Sequence, residues 1–305
     1  MQAGGVLVLA GPTGIGKSET ALALAGEIPA EIVAVDSMQV YRGMEIGTGK
    51  PSEETRRGVP HHGMDLADPE EEFDAVRYAE AVSPVIEEIR RRGRWAVLTA
   101  GCGLYLRVLR QGICEAPGRD PEVRARLLEQ ASREGAAALH TRLAEVDPAA
   151  ARRIHPSDVR RVARALEVFE VTGRPLTRWH QDQEIPPRED WRMIGLDCDR
   201  QRLYGKIEQR IDGWLAGGWI EEARALAERP LSRTAREALG YRELFAHFEG
   251  RADWASTREL IHRNTRRYAK RQLSWFRHEA GVEWTAAQSD PAAVAREILA
   301  KAQAA

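Results

Sequence analysis

An octapeptide near the N-terminus, Gly11-Pro-Thr-Gly-Ile-Gly-Lys17-Ser18, matches the pattern G-x-x-x-x-G-K-[ST], in which a glycine-rich turn wraps a phosphate group. Glycines let successive backbone N–H groups point at phosphate oxygens, and a following helix adds the positive end of its dipole. Lys17 supplies a cation, and the Ser18 hydroxyl is suited to bind Mg²⁺. The sequence therefore predicts a diphosphate site with a magnesium ion. Its predicted residues are Gly11, Pro12, Thr13, Gly14, Ile15, Gly16, Lys17 and Ser18.

A single carboxylate, Asp36, ends the next apolar run, Ile32 to Val35. Enzymes that hydrolyse nucleotides usually carry an Asp at the end of a later strand to hold magnesium, but the run from Trp95 ends in Thr99-Ala100-Gly101. At the end of a parallel strand, Asp36 would face the same crevice as the glycine-rich loop. It could orient a nucleophile, accept its proton or help to hold the metal. The alternative is a helix N-cap or turn residue.

The segments around these residues alternate between strand and helix patterns, which predicts an α/β fold of the P-loop NTPase type, with a parallel sheet covered by helices. The predicted strands are Val6 to Leu9, Ile32 to Val35, Trp95 to Thr99 and Met193 to Leu196, and the first predicted helices are Glu19 to Ala25 and Tyr78 to Arg92.

The middle of the chain differs from this alternation. Two loops rich in proline and glycine, 115–121 and 184–190, enclose a stretch rich in Ala, Arg, Glu and Leu with helical spacing. We therefore predict an all-helical domain inserted into the sheet domain. The predicted division is residues 1–114 for the first part of the core, 115–190 for the insertion, and 191–305 for the return to the core.

Basic residues share one face of a helix predicted over 260–278. This face carries Arg263, Arg266, Arg267, Lys270 and Arg271, with Arg277 at its edge. Charges of a single sign favour a polyanionic partner, whereas a merely solvated helix would usually mix signs. A smaller basic cluster in the insertion comprises Arg152, Arg153, Arg160, Arg161 and Arg164. Two basic clusters beside a phosphate loop suggest a small diphosphate and a nucleic acid bound by one enzyme.

Composition narrows the class of protein. The 305 residues are 43% hydrophobic and 30% charged, which is ordinary for a globular protein. No apolar run is long enough to cross a bilayer, so we expect no membrane association. Three widely spaced cysteines predict reduced thiols and a cytoplasmic protein. The net charge of −1 argues against a chain that is basic throughout, but not against local basic faces.

The ordered motifs together resemble the bacterial tRNA dimethylallyltransferases, also called tRNA isopentenyltransferases. The resemblance runs from the glycine-rich loop to about Trp284. The matching segments are Asp36-Ser-Met-Gln-Val-Tyr-Arg42, Gly47-Thr-Gly-Lys-Pro51, His61-His-Gly-Met-Asp65, Arg153-Ile-His-Pro-Ser-Asp158, Arg160-Arg-Val-Ala-Arg-Ala-Leu-Glu-Val168, Ala238-Leu-Gly-Tyr-Arg-Glu243 and Ala269-Lys-Arg-Gln-Leu-Ser-Trp-Phe-Arg277.

This resemblance implies transfer of a dimethylallyl group from dimethylallyl diphosphate to the exocyclic amine of the adenosine 3′ to the anticodon in tRNA. It implies that Asp36 is the general base. From the glycine-rich loop we expect the enzyme to use Mg²⁺, and we also expect it to be a monomer. The residues expected to contact tRNA are Asp36, Ser37, Met38, Gln39, Cys102, Arg124, Arg160, Arg161, Val162, Ala163, Arg164, Arg263, Arg266, Arg267, Lys270, Arg271 and Arg277. The family usually has threonine where this chain has Cys102, a weaker hydrogen-bond donor.

Two alternative functions share the phosphate loop. One is a small-molecule kinase that uses Asp36 to hold an acceptor hydroxyl, and the other is an adenylate isopentenyltransferase that acts on a free nucleotide. Neither explains the basic helix or the insertion. An RNA-binding module without catalysis would explain the basic faces but would leave the phosphate loop unused.

Overall fold

The structure is a computed structural model that describes residues 4–112, 120–182, 188 and 190–304. It divides into two compact units. The sheet unit comprises Met1–Arg110 and Arg188–Ala305, and the helical unit comprises Gln111–Pro187. Most of the predicted loops 115–121 and 184–190, and with them Cys114, lie outside the described residues. The predicted bounds of the insertion at 115 and 190 therefore stay predictions.

The sheet unit contains a six-stranded sheet of order β3-β2-β4-β1-β5-β6, in which every neighbouring pair is parallel. The strands are β1 (Val6–Ala10), β2 (Ala30–Val35), β3 (His61–His62), β4 (Trp95–Ala100), β5 (Trp191–Asp197) and β6 (Val282–Ala286). All residues of β1 and β2 are buried, as expected for strands covered by helices on both faces. The predicted α/β fold is confirmed.

Fifteen helices are described. In chain order they are α1 (Lys17–Glu27), α2 (Glu53–Gly58), α3 (Ala75–Arg91), α4 (Gly103–Gln111), α5 (Pro121–Glu134), α6 (Ala136–Val146), α7 (Pro148–Arg153), α8 (Val159–Thr172), α9 (Leu176–Asp182), α10 (Arg200–Ala216), α11 (Trp219–Ala227), α12 (Arg233–Arg236), α13 (Tyr241–Phe248), α14 (Trp254–Arg277) and α15 (Pro291–Ala304). None of them is long and apolar enough to cross a bilayer.

The predicted starts of α3 and α14 come too late because capping side chains extend these two helices beyond their apolar repeats. Asp74 accepts hydrogen bonds from the backbone N–H groups of Val76 and Arg77, so α3 begins three residues before the predicted start. Asp253 caps α14 in the same way through Ser256 N, at 2.8 Å, and moves its start back to Trp254. The long basic helix therefore has a full extra turn at its N-terminus.

The helical unit has its own hydrophobic core. Helices α5 to α9 enclose Leu127, Leu139, Leu143 and Leu166, all fully buried. Asp120, Asp147 and Asp158 cap α5, α7 and α8 through backbone N–H groups. Such a core supports a separate compact unit without any strand among its described residues.

In the sheet unit, the glycine-rich loop, Asp36 and Gly101 all lie at the carboxyl ends of the strands. The chain leaves β1 for the glycine-rich loop, leaves β2 at Asp36 and leaves β4 at Gly101. Since β2, β4 and β1 are adjacent and parallel, these three exits lie side by side. This is the edge at which open parallel sheets bind ligands.

Candidate functional site

The glycine-rich loop has the backbone that its sequence predicts. Gly14 and Gly16 have φ angles of 78° and 107°, which a residue with a Cβ rarely adopts. Lys17 Nζ donates hydrogen bonds to the carbonyls of Gly11 and Pro12, both at 2.9 Å. Burial lowers the pKa of Lys17 to about 8, although the nearby Asp36 carboxylate raises it in part. The loop thus holds a partly buried ammonium group that is protonated at neutral pH.

A cavity of about 800 Å³ opens above this loop. We call it the phosphate cavity; its lining includes residues 13–18, Asp36, Gly101, Lys206 and Arg210. The Ser18 side chain lines it and makes no hydrogen bond with another described protein group. No three His, Cys, Asp or Glu side chains converge as a metal site in the described chain. Ser18 and Asp36 are among the oxygen-bearing side chains that line this cavity, and Mg²⁺ could bind there with few protein ligands.

Asp36 uses its two carboxylate oxygens differently. Oδ1 accepts hydrogen bonds from Met38 N at 2.8 Å and Gln39 N at 3.4 Å, so the alternative assignment as a turn residue is correct for this atom. Oδ2 points toward Gly101, where a Cβ would lie 3.1 Å from it. One oxygen fixes the turn and thereby orients the other, which lies beside Gly101 in the lining of the phosphate cavity.

A second cavity of about 260 Å³ adjoins the first, since both are lined by Thr13, Asp36, Thr48, Arg210 and Trp214. We call it the aromatic cavity because Trp214, Trp219, Tyr241 and Tyr268 line it. Such walls suit a flat heteroaromatic ring. Asp36 therefore stands between a cationic cavity and an aromatic one.

The residues that follow Asp36 divide between the two cavities. Ser37 and Met38 line the aromatic cavity. Gln39 instead lines the phosphate cavity, and its Nε2 donates to the Thr48 carbonyl at 3.0 Å. Gln39 thus supports the wall of the phosphate cavity in this structure.

Cys102 follows Gly101 at the end of β4, beside these cavities. Its backbone N–H donates to the Val35 carbonyl at 3.1 Å, which ties the turn to β2. Burial is the main cause that raises the pKa of the Cys102 thiol, while the Ser37 hydroxyl lowers it in part. The thiol is therefore neutral at physiological pH and offers only a weak hydrogen-bond donor.

The sequence interpretation missed Arg210. Its guanidinium donates to Thr13 Oγ1 at 2.5 Å and lies 4.5 Å from the centre of the Trp214 ring. Burial lowers the pKa of Arg210 to about 10, so it remains a cation at neutral pH. Arg210 shares the face of α10 that carries Leu203 and Ile207. A charged residue on an otherwise apolar helix face was the signal that could have revealed it.

Gln272 was also missed as a site residue, although it lies within a segment that carries the resemblance. Its Oε1 accepts from Thr13 N at 2.9 Å, and its Nε2 donates to the Gly101 carbonyl at 2.7 Å. It occupies a buried position of α14 between Ala269 and Phe276. A polar residue in this buried row was the available signal.

The basic face of α14 is only partly as predicted. Arg263, Arg267, Lys270 and Arg271 are exposed, and none of them forms an ion pair within the described part of the chain. Arg266, however, pairs with Glu208 of α10, and Arg277 pairs with Asp197 at 2.8 Å. The acids that pair with these two arginines come from other elements, whereas the helix itself carries no acid between Arg263 and Arg277.

The helical unit also corrects two predicted contacts. Val162 and Ala163 are 0% and 1% exposed, so their side chains belong to its core and cannot touch RNA. Arg160 is exposed, whereas Arg161 pairs with Asp158 at 2.7 Å. The buried row of α8 includes these two apolar residues because they lie on the side opposite to the arginines.

A buried carboxylate organises two further arginines of the helical unit. Glu167 is 0% exposed and pairs with both Arg124 and Arg164. It also accepts a hydrogen bond from Asp120 N at 2.8 Å. Two guanidinium groups share one carboxylate, so the cluster keeps a net positive charge.

Comparisons with known proteins agree with one another. The family model described as IPP transferase matches residues 39–279, and the model described as isopentenyl transferase matches residues 4–61. A curated tRNA dimethylallyltransferase of Geobacter metallireducens is 46% identical, covering 92% of this chain and 91% of its own. One of Symbiobacterium thermophilum is 47% identical, covering 92% and 88%.

Solved structures show the same relationship. The tRNA isopentenylpyrophosphate transferase of Bacillus halodurans matches with a TM-score of 0.71 and 36% identity, covering 98% of this chain and 97% of its own. A eukaryotic dimethylallyltransferase acting on tRNA matches with a TM-score of 0.80 and 28% identity, covering 96% and 77%. By the extent and identity of these matches, the chain belongs to the IPP transferase family.

Proposed function

We propose that this chain transfers a dimethylallyl group from dimethylallyl diphosphate to the exocyclic amine of an adenosine in tRNA, the one on the 3′ side of the anticodon. The relatives reported above are named for dimethylallyl transfer to tRNA. The observation that carries the proposal is the position of Asp36, which lines both the phosphate cavity and the aromatic cavity. A donor and an acceptor bound in these two cavities would meet at this carboxylate.

The diphosphate is proposed to bind at the glycine-rich loop. Backbone N–H groups of the loop and of the first turn of α1 would hold its oxygens, and Lys17 and Arg210 would balance its charge. The Ser18 hydroxyl, which has no partner in the described chain, would hold Mg²⁺ together with the diphosphate oxygens. When bound, Mg²⁺ neutralises charge that develops on the leaving diphosphate.

The acceptor base is proposed to enter the aromatic cavity. An adenine in a stacked loop must leave its neighbours to do so, at a cost of a few kcal/mol that the aromatic walls would offset by stacking. Its exocyclic nitrogen would then lie near Asp36 Oδ2. During attack, the bond between the allylic carbon and the diphosphate oxygen breaks while the C–N bond forms. The amine proton passes to Asp36, and the bonding electrons leave with diphosphate.

The tRNA is proposed to lie on the unpaired basic residues of α14. Arg263, Arg267, Lys270 and Arg271 supply exposed cations, and Arg271 also lines the aromatic cavity. Phosphate contacts from such residues position an RNA without reading its sequence. In the helical unit, Arg124, Arg160 and Arg164 are proposed to add further phosphate contacts. This arrangement favours tRNA over a free nucleotide as acceptor.

We further propose that the enzyme acts as a monomer in the cytoplasm. Both cysteines in the described chain, Cys102 and Cys198, are free thiols, which agrees with a reducing compartment. Sedimentation of the purified chain would give a single species at 34.1 kDa. A dimer at micromolar concentration would contradict the proposed monomer.

A transfer assay tests the proposed function. Dimethylallyl diphosphate labelled in the allyl group is incubated with the enzyme and, separately, unmodified tRNA, AMP or ATP. We expect label in tRNA only, with release of diphosphate. Label in AMP would favour an adenylate isopentenyltransferase, and phosphate transfer from ATP to a small acceptor would favour a kinase; either result would overturn the proposal.

A further inference from the structure

We propose that Gln272 is a positioning residue that couples RNA bound on α14 to the conformation of the glycine-rich loop, where diphosphate is proposed to bind. This inference rests on the proposed function, because it names a regulatory property of the same site. It predicts that RNA and diphosphate each strengthen the binding of the other, and that the Gln272 side chain transmits much of this effect.

The Gln272 amide joins two loops that are far apart in sequence. Oε1 accepts from Thr13 N at 2.9 Å, and Nε2 donates to the Gly101 carbonyl at 2.7 Å. Gln272 is only 6% exposed, so solvent does not readily replace either bond. Because the acceptor and donor ends of the amide have different partners, its orientation is fixed.

One end of this bridge leads to Lys17, the cation of the proposed diphosphate site. Thr13 is held at its N–H by Gln272 and at its hydroxyl by Arg210. The preceding residue, Pro12, accepts a hydrogen bond from Lys17 Nζ at 2.9 Å. A shift of the amide would therefore move Thr13 and alter the place of Lys17 in the phosphate cavity.

The other end leads to Asp36, the proposed general base. The Gly101 carbonyl accepts a hydrogen bond from the Gln272 amide, and a Cβ added at the same glycine would lie 3.1 Å from Asp36 Oδ2. A single side chain thus fixes both the loop that holds the leaving group and the turn beside the carboxylate. No other side chain in the described residues hydrogen-bonds to both of these loops.

The RNA surface lies next to this bridge on the same helix. Lys270 and Arg271 are exposed, and the Arg271 guanidinium lies 5.7 Å from the centre of the Tyr268 ring in the aromatic cavity. RNA that binds these side chains would restrict the position of this turn of α14. A more restricted α14 would hold Gln272 against both loops, so the diphosphate loop would be ordered before its ligand arrives.

The test measures pyrophosphate affinity by calorimetry, with and without a saturating anticodon stem-loop. For the wild-type protein we expect RNA to tighten pyrophosphate binding by roughly fivefold or more, within the usual range of coupling between two sites. Gln272→Met keeps the length and burial of the side chain but removes both hydrogen bonds. In this variant we expect the ratio of pyrophosphate affinities with and without RNA to fall to about one. The RNA affinity of the variant is measured in parallel.

Two controls separate coupling from folding. Gln130→Ala removes a glutamine amide that bonds Glu134 in the helical unit rather than either loop, and it should retain the wild-type factor. If Gln272→Met does not fold, Gln272→Asn supplies an amide one methylene too short to reach both partners, and it should also lower the factor.

Two results would overturn the inference. One is a wild-type protein in which RNA leaves pyrophosphate affinity unchanged. The other is a folded Gln272 variant with the wild-type factor. Because pyrophosphate binding needs no group transfer, either result would stand apart from the transfer assay, which tests the proposed function by itself.

Discussion

A Cβ atom on residue 101 would lie 3.1 Å from Asp36 Oδ2, so Gly101 leaves this carboxylate oxygen just enough room at the boundary of the two cavities. Gly101 comes from the end of β4 and Asp36 from the end of β2, and the two strands pair in parallel with Val35 opposite Ala100. The register of the sheet therefore sets the position of Asp36, the proposed general base.

Asp36→Asn tests the role of this oxygen as a general base. Asparagine keeps the Oδ1 acceptor for Met38 N and Gln39 N, so the turn should persist. It cannot accept the amine proton, so we expect transfer to fall by roughly 10²–10⁴-fold, the usual contribution of a general base. Single-turnover kinetics measure the rate, and filter binding of tRNA should change little. Turnover near the wild-type rate would contradict the role.

Gly101→Ala tests the spacing around Asp36. The new methyl group would press on Oδ2 at 3.1 Å and would make an ordinary van der Waals contact with the Gln272 amide at 3.5 Å. We expect kcat to fall by about tenfold or more, because a small displacement of a catalytic group is costly, while the melting temperature changes by only a few degrees. Gly26→Ala is the matched control, since nothing lies within 4 Å of its added Cβ. Equal activity of the two variants would count against the proposed geometry.

The pH dependence of diphosphate binding tests Lys17. Its pKa in the free protein is lowered to about 8, so the ammonium is present at pH 7 and is lost as the pH rises through 8. Bound diphosphate favours the charged form, so affinity should be level below pH 7 and fall by up to about tenfold per pH unit above 8. Isothermal titration from pH 6.5 to 9.5 measures this fall.

Lys17→Met is the control for this titration. The variant should bind diphosphate weakly and lack the loss of affinity above pH 8, while any ionisation of the ligand itself would remain. An identical pH profile in both proteins would assign the loss to the ligand and contradict the role of Lys17.

The salt dependence of tRNA binding tests the basic face of α14. Arg263→Ala with Arg267→Ala removes two unpaired cations, and we expect the slope of log affinity against log salt to become shallower by about one for each. Arg266→Ala with Arg277→Ala removes cations already paired with Glu208 and Asp197, so its effect on the slope should be smaller. Equal slopes for the two double variants would show that pairing does not select the RNA contacts.

The parts of the site that are local in sequence could be predicted before the structure. The glycine-rich loop and Asp36 follow directly from strand ends, because a strand, a turn and a helix N-terminus form one continuous segment. The double use of Asp36 could not be predicted, since it depends on which carboxylate oxygen the turn engages. The α/β fold could also be predicted, and it was confirmed, because its strands are continuous apolar runs in the sequence.

The missed residues reach the loop from distant segments. Thr13 is separated by 197 residues from Arg210 and by 259 residues from Gln272. Only the packing of α10 and α14 beside the sheet brings these side chains to the loop. The partners of Arg266 and Arg277 were missed for the same reason, as a projection of one helix does not contain acids on its neighbours.

Two anticodon stem-loops test most directly whether the enzyme transfers the dimethylallyl group to one adenosine in tRNA. They differ only at the nucleotide 3′ to the anticodon, which is adenosine in one and guanosine in the other. With labelled dimethylallyl diphosphate, nucleoside mass spectrometry should find the dimethylallyl group on the exocyclic nitrogen of that adenosine and none in the guanosine stem-loop. Equal labelling of both stem-loops, or labelling of free AMP at the same rate, would contradict the claim.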